Sequence, residues 1–199
     1  IRAGRLRETE LASVSARAAS QSGSNMGVAA GGRVAVSNLM RGIIVLSGND
    51  ASVALAEHLA GSEARFARLM NREARRLGLA DTHFVNATGL DEPGHYSSAL
   101  DMARLARVIL RDANYPLYAQ REFVWNGIRQ PNRNPLLGRV PGVDGLKTGQ
   151  TAQAGYCLVA SARRDGIRFI ATVLGARSGA TRARETARLL DHGFHRSRQ

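Results

Sequence analysis

The sequence predicts an α/β protein of the α+β kind, a helical lobe packed against an antiparallel sheet with flanking helices. Three observations carry this. Apolar residues recur at helical spacing from about residue 37 to residue 110, two strand-like runs, Tyr156–Ala162 and Ile167–Leu174, follow, and a last helical pattern closes the chain from about Thr181 to Leu190. The 199 residues are enough to bury roughly 70% of the unfolded surface. One domain over 1–199 is expected, with a helical lobe at about 37–120 and a sheet lobe at about 121–199 that includes an N-terminal remnant.

Taken in order, Ile1-Arg2-Ala3-Gly4 reads as the tail of a helix, with Gly4 suited to a left-handed stop. Thr9 to Val36 is rich in Ser, Ala and Gly and predicts loops around short extended pieces. Ser37 is expected to cap a helix carrying Leu39, Met40, Ile43 and Ile44. That helix ends at Ser47-Gly48-Asn49, and Asp50 starts another that runs to Gly61. Ser62 begins a third, with Phe66, Leu69, Met70, Ala74 and Leu77 on one face and Gly78 as its stop. After the loop Asp81 to Tyr96, Ser98 and Asp101 form a capping-box pattern at the head of a fourth. Four prolines break Asn114 to Gly142, leaving loop and one short strand at Phe123-Val124-Trp125. Asp165-Gly166 marks a hairpin between the two late strands.

Composition narrows the function. The net charge of +12 raises a nucleic-acid reading. The arginines are nevertheless spread over the whole length, without a basic tail or interleaved aromatics, so a dispersed surface charge with some attraction to a polyanionic cell envelope is expected, and no nucleic acid. The longest apolar run, Ile43-Ile44-Val45-Leu46, is far too short to cross a bilayer. Cys157, the single cysteine, lies in an apolar run and reads as a buried small hydrophobe. The five histidines show no metal-ligand spacing, and no metal or organic cofactor is expected.

Lys147 is the sole lysine among 28 basic residues. An ammonium is compact and can release its proton, which a guanidinium does not. Thr148 adds a hydroxyl, and Gly149 leaves the backbone bare. Cation, hydroxyl and bare backbone form a wall suited to an anionic substrate. Ser47 and Asn49, two residues apart in an interhelical turn, are placed to face Lys147 and Thr148 across a cleft. A serine hydroxyl beside an ammonium relays protons, and an asparagine amide holds a substrate amide, an inventory suited to acyl transfer. Each motif alone is a common one; the pair, one in each lobe, is more specific.

Over nearly all of its length the chain resembles the low-molecular-mass penicillin-binding proteins, the serine-type D-alanyl-D-alanine carboxypeptidases. The resemblance lies in Leu46-Ser47-Gly48-Asn49-Asp50-Ala51, Leu77-Gly78-Leu79, Thr82-His83-Phe84, Thr88-Gly89-Leu90-Asp91, Gly94-His95-Tyr96-Ser97-Ser98, Asn126-Gly127-Ile128-Arg129-Gln130 and Val143-Asp144-Gly145-Leu146-Lys147-Thr148-Gly149. The serine-x-asparagine and lysine-threonine-glycine motifs are shared with class A β-lactamases. The resemblance implies a penicillin-binding-protein/β-lactamase-like fold and a transpeptidase-like catalytic domain. It implies Ser47 as proton relay, Asn49 on the substrate's peptide carbonyl side, and Lys147 with Thr148 and Gly149 at the terminal carboxylate. Arg182, just before the closing helix, stands where the family places a carboxylate-binding arginine. The implied partners are peptidoglycan pentapeptides and β-lactams, in the extracytoplasmic envelope, with the membrane touched only peripherally through a segment outside these residues.

Three departures follow. The family's nucleophile sits in a serine-x-x-lysine pair, which this sequence does not contain; in register, the pair and an N-terminal strand are expected upstream of Ile1, and the chain as given is expected to bind but not turn over. Gln150 stands where many members carry histidine, which bears on pH dependence and rate rather than on family. None of Glu57, Glu63, Glu73, Glu92 or Glu122 has the context of a deacylating β-lactamase glutamate, which ranks that reading below the peptidase. A non-catalytic muropeptide-binding protein of the same fold is the other alternative.

Overall fold

The computed structural model describes residues 7–197. The predicted helix tail at Ile1–Gly4 lies outside them. In the Ser/Ala/Gly-rich stretch, strand β1 (Leu11–Ser13) pairs antiparallel with β2 (Arg33–Ala35), and between them a single turn, α1 (Ala16–Ala19), is capped by Ser15. Helix α2 (Val36–Arg41) begins before Ser37, so Ser37 is not its cap. The reason is local. The amides of Val36 and Ser37 donate to the carbonyls of Glu10 and Glu8, so the chain ahead of β1 satisfies the donors a cap would take.

Helix α2 then widens into a π-helical turn, Gly42–Leu46. Gly42 allows it, since a Cβ there would lie 2.3 Å from the Met26 sulfur. Ser47 follows in the left-handed region (φ 60, ψ 38), and α3 (Asn49–Ala60) starts one residue earlier than the sequence implied. Ser62 caps α4 (Glu63–Arg76) by accepting from the Arg65 amide, and Gly78 ends that helix at positive φ, as the sequence predicted. In α5 (Ala99–Ile109) Ser98 accepts from the Asp101 amide. The reciprocal half of the box is not made, because the buried Asp101 carboxyl takes the Asp81 amide and the Thr82 hydroxyl instead.

After a 3-10 turn at Tyr115–Ala119, β3 (Glu122–Trp125) and β4 (Ile128–Pro131) form a hairpin through Asn126 and Gly127, both at positive φ. The expected single strand thus has a partner, and its signal was the Asn-Gly pair. The antiparallel sheet β5 (Val143–Thr151), β6 (Gly155–Arg164), β7 (Ile167–Ala176) matches the late apolar runs, with the β6–β7 turn at Asp165-Gly166. Helix α6 (Gly179–Arg196) is longer than predicted at both ends, since Ser178 caps it by accepting from Thr181.

Two apolar clusters hold these elements. Val45, Leu46, Val53 and Ala54 pack with Ala12, Val14 and Met26 on the helical side, while Leu158, Ala160 and Ala171 pack under Leu190 and Phe194 of α6. Cys157 belongs to neither core. It is half-buried rather than buried, because its register partner on β5 is Gly149 and no side chain covers it from that strand.

Candidate active site

The turn that ends the π-helical segment and the middle of β5 meet across one cleft of about 680 Å³. The Lys147 ammonium donates to the Ser47 hydroxyl at 2.7 Å and to the Thr148 carbonyl at 2.8 Å. Residues 100 positions apart in sequence are therefore in direct contact. Asn49 opens α3 in the same cleft.

The helical wall is held almost entirely by backbone. The Asn49 amide donates to the Ser24 carbonyl at 2.7 Å, and the Asn49 side-chain nitrogen to the Ser22 carbonyl at 2.7 Å. One carboxamide hydrogen is thus committed, leaving the other hydrogen and the oxygen for a ligand. Behind Asn49, the buried carboxyl of Asp50 accepts from the amides of Met26, Gly27, Val28 and Ala51. It fixes the loop whose carbonyls hold Asn49. The left-handed Ser47 is the strained point of this wall, and a non-glycine residue there costs roughly 1–2 kcal/mol.

The strand wall is cationic. Burial pushes the Lys147 ammonium down to about 8, and the neighbouring Arg133 and Arg182 guanidiniums act in the same direction. Arg133 was not singled out from the sequence. It lies in the proline-broken loop, where Asn134 donates to the Gly145 carbonyl at 3.1 Å and the Arg133 amide to the Val45 carbonyl at 3.2 Å, so the residue is tied to both walls. The only sequence signal was the flanking Asn132 and Asn134, one arginine among many. Arg182 sits within the first turn of α6 rather than before it, and its guanidinium reaches back to the Gly149 and Cys157 carbonyls at 3.4 Å each. Burial lowers its proton affinity.

Thr148, Gly149 and Gln150 complete this wall along the outer edge of the sheet. Gly149 is not demanded by packing, since an added Cβ would meet only Cys157 at an ordinary 3.7 Å. Its missing side chain leaves room toward the cleft.

A loop closes the third side with Ala87, Thr88, Gly89 and Leu90. Asn71 holds Phe84 through two 2.7 Å hydrogen bonds, Glu63 accepts from the Ala87 amide, and Asp91 accepts from the Gln153 amide across the cleft mouth. His95 accepts from the Val85 amide, and burial lowers its pKa. Among the described residues no carboxylate lines the cleft and no trio of His, Cys, Asp or Glu is placed to hold a metal ion. The cleft is an anion-accepting groove with a serine, an amide and a titratable amine at its centre.

The family profile described as D-alanyl-D-alanine carboxypeptidase matches residues 1–178. The chain is 48% identical over 167 residues to the D-alanyl-D-alanine carboxypeptidase DacC of Escherichia coli, covering 82% of this chain and 42% of that protein. It is 41% identical over 198 residues to DacF of Bacillus subtilis, covering 96% and 51%. Among solved structures, the D-alanyl-D-alanine carboxypeptidase DacD of Francisella tularensis superposes with a TM-score of 0.95 at 37% identity, over 98% of this chain and 60% of that one. Penicillin-binding protein 5 of Haemophilus influenzae does so at 0.93 and 41%, over 98% and 58%. The chain thus spans about half the length of the curated relatives it matches. Matched over most of its residues in sequence and in fold, the chain belongs to the D-alanyl-D-alanine carboxypeptidase family.

Proposed function

We propose that these residues form most of the catalytic domain of a serine-type D-Ala-D-Ala carboxypeptidase that trims peptidoglycan stem peptides and is acylated by β-lactams, in the extracytoplasmic envelope. The observation that carries the reading is the 2.7 Å contact between the sole lysine and the turn serine. A stem peptide extended along β5 reaches all the groups at once. Its terminal carboxylate meets Lys147, Thr148 and Arg182, with Arg133 adding positive potential, and its penultimate amide meets Asn49.

In the reaction so read, a serine oxygen attacks the carbonyl between the two D-alanines, and the C–N bond breaks. The departing amine takes a proton delivered through Ser47, whose hydroxyl Lys147 polarises, and water then cleaves the acyl-enzyme. The attacking serine has no counterpart within residues 1–199, because a serine-x-x-lysine pair would need a second lysine or a serine at position 144, where Asp144 stands. The polypeptide Ile1–Gln199 by itself is therefore expected to bind such ligands without being acylated. Among the described residues no carboxylate lines the cleft, whereas a β-lactamase reading requires a deacylating glutamate there.

Fluorescent penicillin tests the reading on the full-length protein. Covalent label on the full chain, and release of D-alanine from a peptide ending in D-Ala-D-Ala, are expected. A full-length protein that stays unlabelled over long incubation while still binding muropeptides is instead a non-catalytic binder.

A further inference from the structure

Strand β5 carries one residue more than its partner just before it enters the cleft. Val143 stands opposite Ala162 and Gly145 opposite Ser161, so Asp144 is the extra residue of a β-bulge. In regular alternation Asp144 would share a face with Leu146, whose register partner Ala160 packs under α6. Its carboxyl is found on the other face, where it accepts from the Tyr115 hydroxyl at 2.6 Å and pairs with the Arg168 guanidinium at 2.8 Å. That face also carries Ser161 and, two residues past Gly145, Lys147. Arg168 comes from β7, and the nitrogen that meets Asp144 also donates to Ser161 on β6, so one guanidinium ties all three strands at the bulge. It lies over the Tyr115 ring, 5.4 Å from the centroid. Tyr115 in turn backs Gly145, where an added Cβ would come within 3.1 Å of its hydroxyl.

We propose that Asp144, Arg168 and Tyr115 form a register clamp, a set of positioning residues that fixes where the Lys147 ammonium stands in the cleft. Side chains alternate along a strand with period two, so a bulge that relaxed or moved past Gly145 would turn Lys147 away from Ser47. An ion pair that served only to join strands would need neither the bulge nor the tyrosine. Here the carboxyl sits at the one position that regular pairing would aim at the α6 core, and three donors on the opposite face hold it where it is. Lys147 has little else to place it on the strand side, since its second hydrogen bond is to the carbonyl of its own neighbour, Thr148. The consequence for catalysis rests on the reaction proposed above: displacing a reacting group by about 1 Å costs on the order of a hundredfold. The placement of the amine does not depend on that reading.

The test titrates Lys147 by NMR in the full-length protein with carbon-13 at the lysine Cε, its signal identified by its loss in Lys147→Met. In both D144A and R168Q the amine is expected to move out toward water, so its pKa should rise from about 8 toward the ordinary 10.5. A field effect alone would shift the two variants in opposite directions, since one loses an anion and the other a cation. R163Q removes a cation at the exposed position opposite Arg168 and should leave the titration unchanged. Acylation by fluorescent penicillin, measured where melting shows each variant folded, should fall on the order of a hundredfold in D144A and in R168Q. The double variant should lose no more than the worse single one, and R168Q should add no loss in the Lys147→Met background. An unmoved Lys147 titration, opposite shifts in the two variants, or an equal loss from R168Q with and without Lys147 would each overturn the clamp. A parent protein that takes no label defeats the proposed reaction instead, and the titration then decides the clamp by itself.

Discussion

The two walls of the cleft are built on opposite plans. On the helical wall every polar group that sets geometry is already bonded: Asn49 to Ser22 and Ser24, Asp50 to four amides, and no cation lies among them. On the strand wall three cations face the same space with no carboxylate between them, and the central one is driven down to about 8. The first wall is stable without ligand. The second is electrostatically incomplete until an anion arrives. On the function proposed above, such a division would place rigidity where a substrate amide is oriented and unbalanced charge where a substrate carboxylate binds.

The largest effect should come from removing charge on the strand wall. Lys147→Met in the full-length protein keeps the length of the side chain and is expected to slow penicillin acylation on the order of a thousandfold, the scale of losing a preorganised electrostatic group. Its melting temperature should be unchanged or higher, because the variant no longer buries an ammonium whose desolvation lowers its pKa. A loss of stability together with activity would mean that Lys147 is structural and the contrast between the walls is false.

Asp50→Ala probes the other wall and should invert the pattern. It strips acceptors from the amides of Met26, Gly27, Val28 and Ala51, three of them on buried residues, and is expected to cost at least about 3 kcal/mol in urea unfolding. Acylation measured where the variant is still folded should fall less than in Lys147→Met, since no group of the strand wall has moved.

The lysine also gives the contrast a pH signature. The folded pKa of about 8 lies below the ordinary lysine value of 10.5, so between these values the unfolded chain binds a proton that the folded one does not. By linkage, stability from this group rises with pH across that window and is lost as pH falls through 8. Acylation by an anionic β-lactam needs the ammonium and should fall as pH rises through the same region, about tenfold per unit once the amine is mostly neutral. Opposite slopes in melting and acylation profiles, both flattened in Lys147→Met, are expected. Among the described residues no histidine lines the cleft, Gln150 occupying the position that the resemblance gives to one, so the part of the profile that Lys147→Met removes is the part owed to Lys147.

How much of this was legible in the sequence follows the range of the forces involved. Serine caps at Ser62 and Ser98, the Asp165-Gly166 hairpin and the meeting of Ser47 with Lys147 rest on local chemistry or on motif pairing, and the coordinates agree with them. The start of α2 was misread because its amides are satisfied by Glu8 and Glu10, a tertiary contact that no cap rule sees. The π-helical turn has no residue code beyond the room that Gly42 makes beside Met26. Arg133 was hidden by composition. In an arginine-rich chain only its placement between two tethered asparagines distinguishes it, and that is visible only once Gly145 and Gln120 are known to be the tethers.

The smallest expected effect bears on Gly149. Neither packing nor backbone requires a glycine there: the residue is not among those at positive φ, and a methyl group would only touch Cys157 at 3.7 Å. Gly149→Ala should therefore leave the melting temperature within about the shift expected for 0.5–1 kcal/mol, and strand propensity favours the added methyl if anything. The added methyl meets no atom of Lys147 within 4 Å, but it narrows the bare stretch of β5 against which, on the proposed reading, the carboxylate end of a stem peptide would lie. A several-fold loss of acylation efficiency, expressed in binding rather than in the acylation step, is expected from titrating the rate against β-lactam concentration. If the loss fell on the acylation step alone, the methyl would be disturbing the Ser47 contact. The strand wall would then be positioning atoms as strictly as the helical one, and the division of labour between them would have to be redrawn.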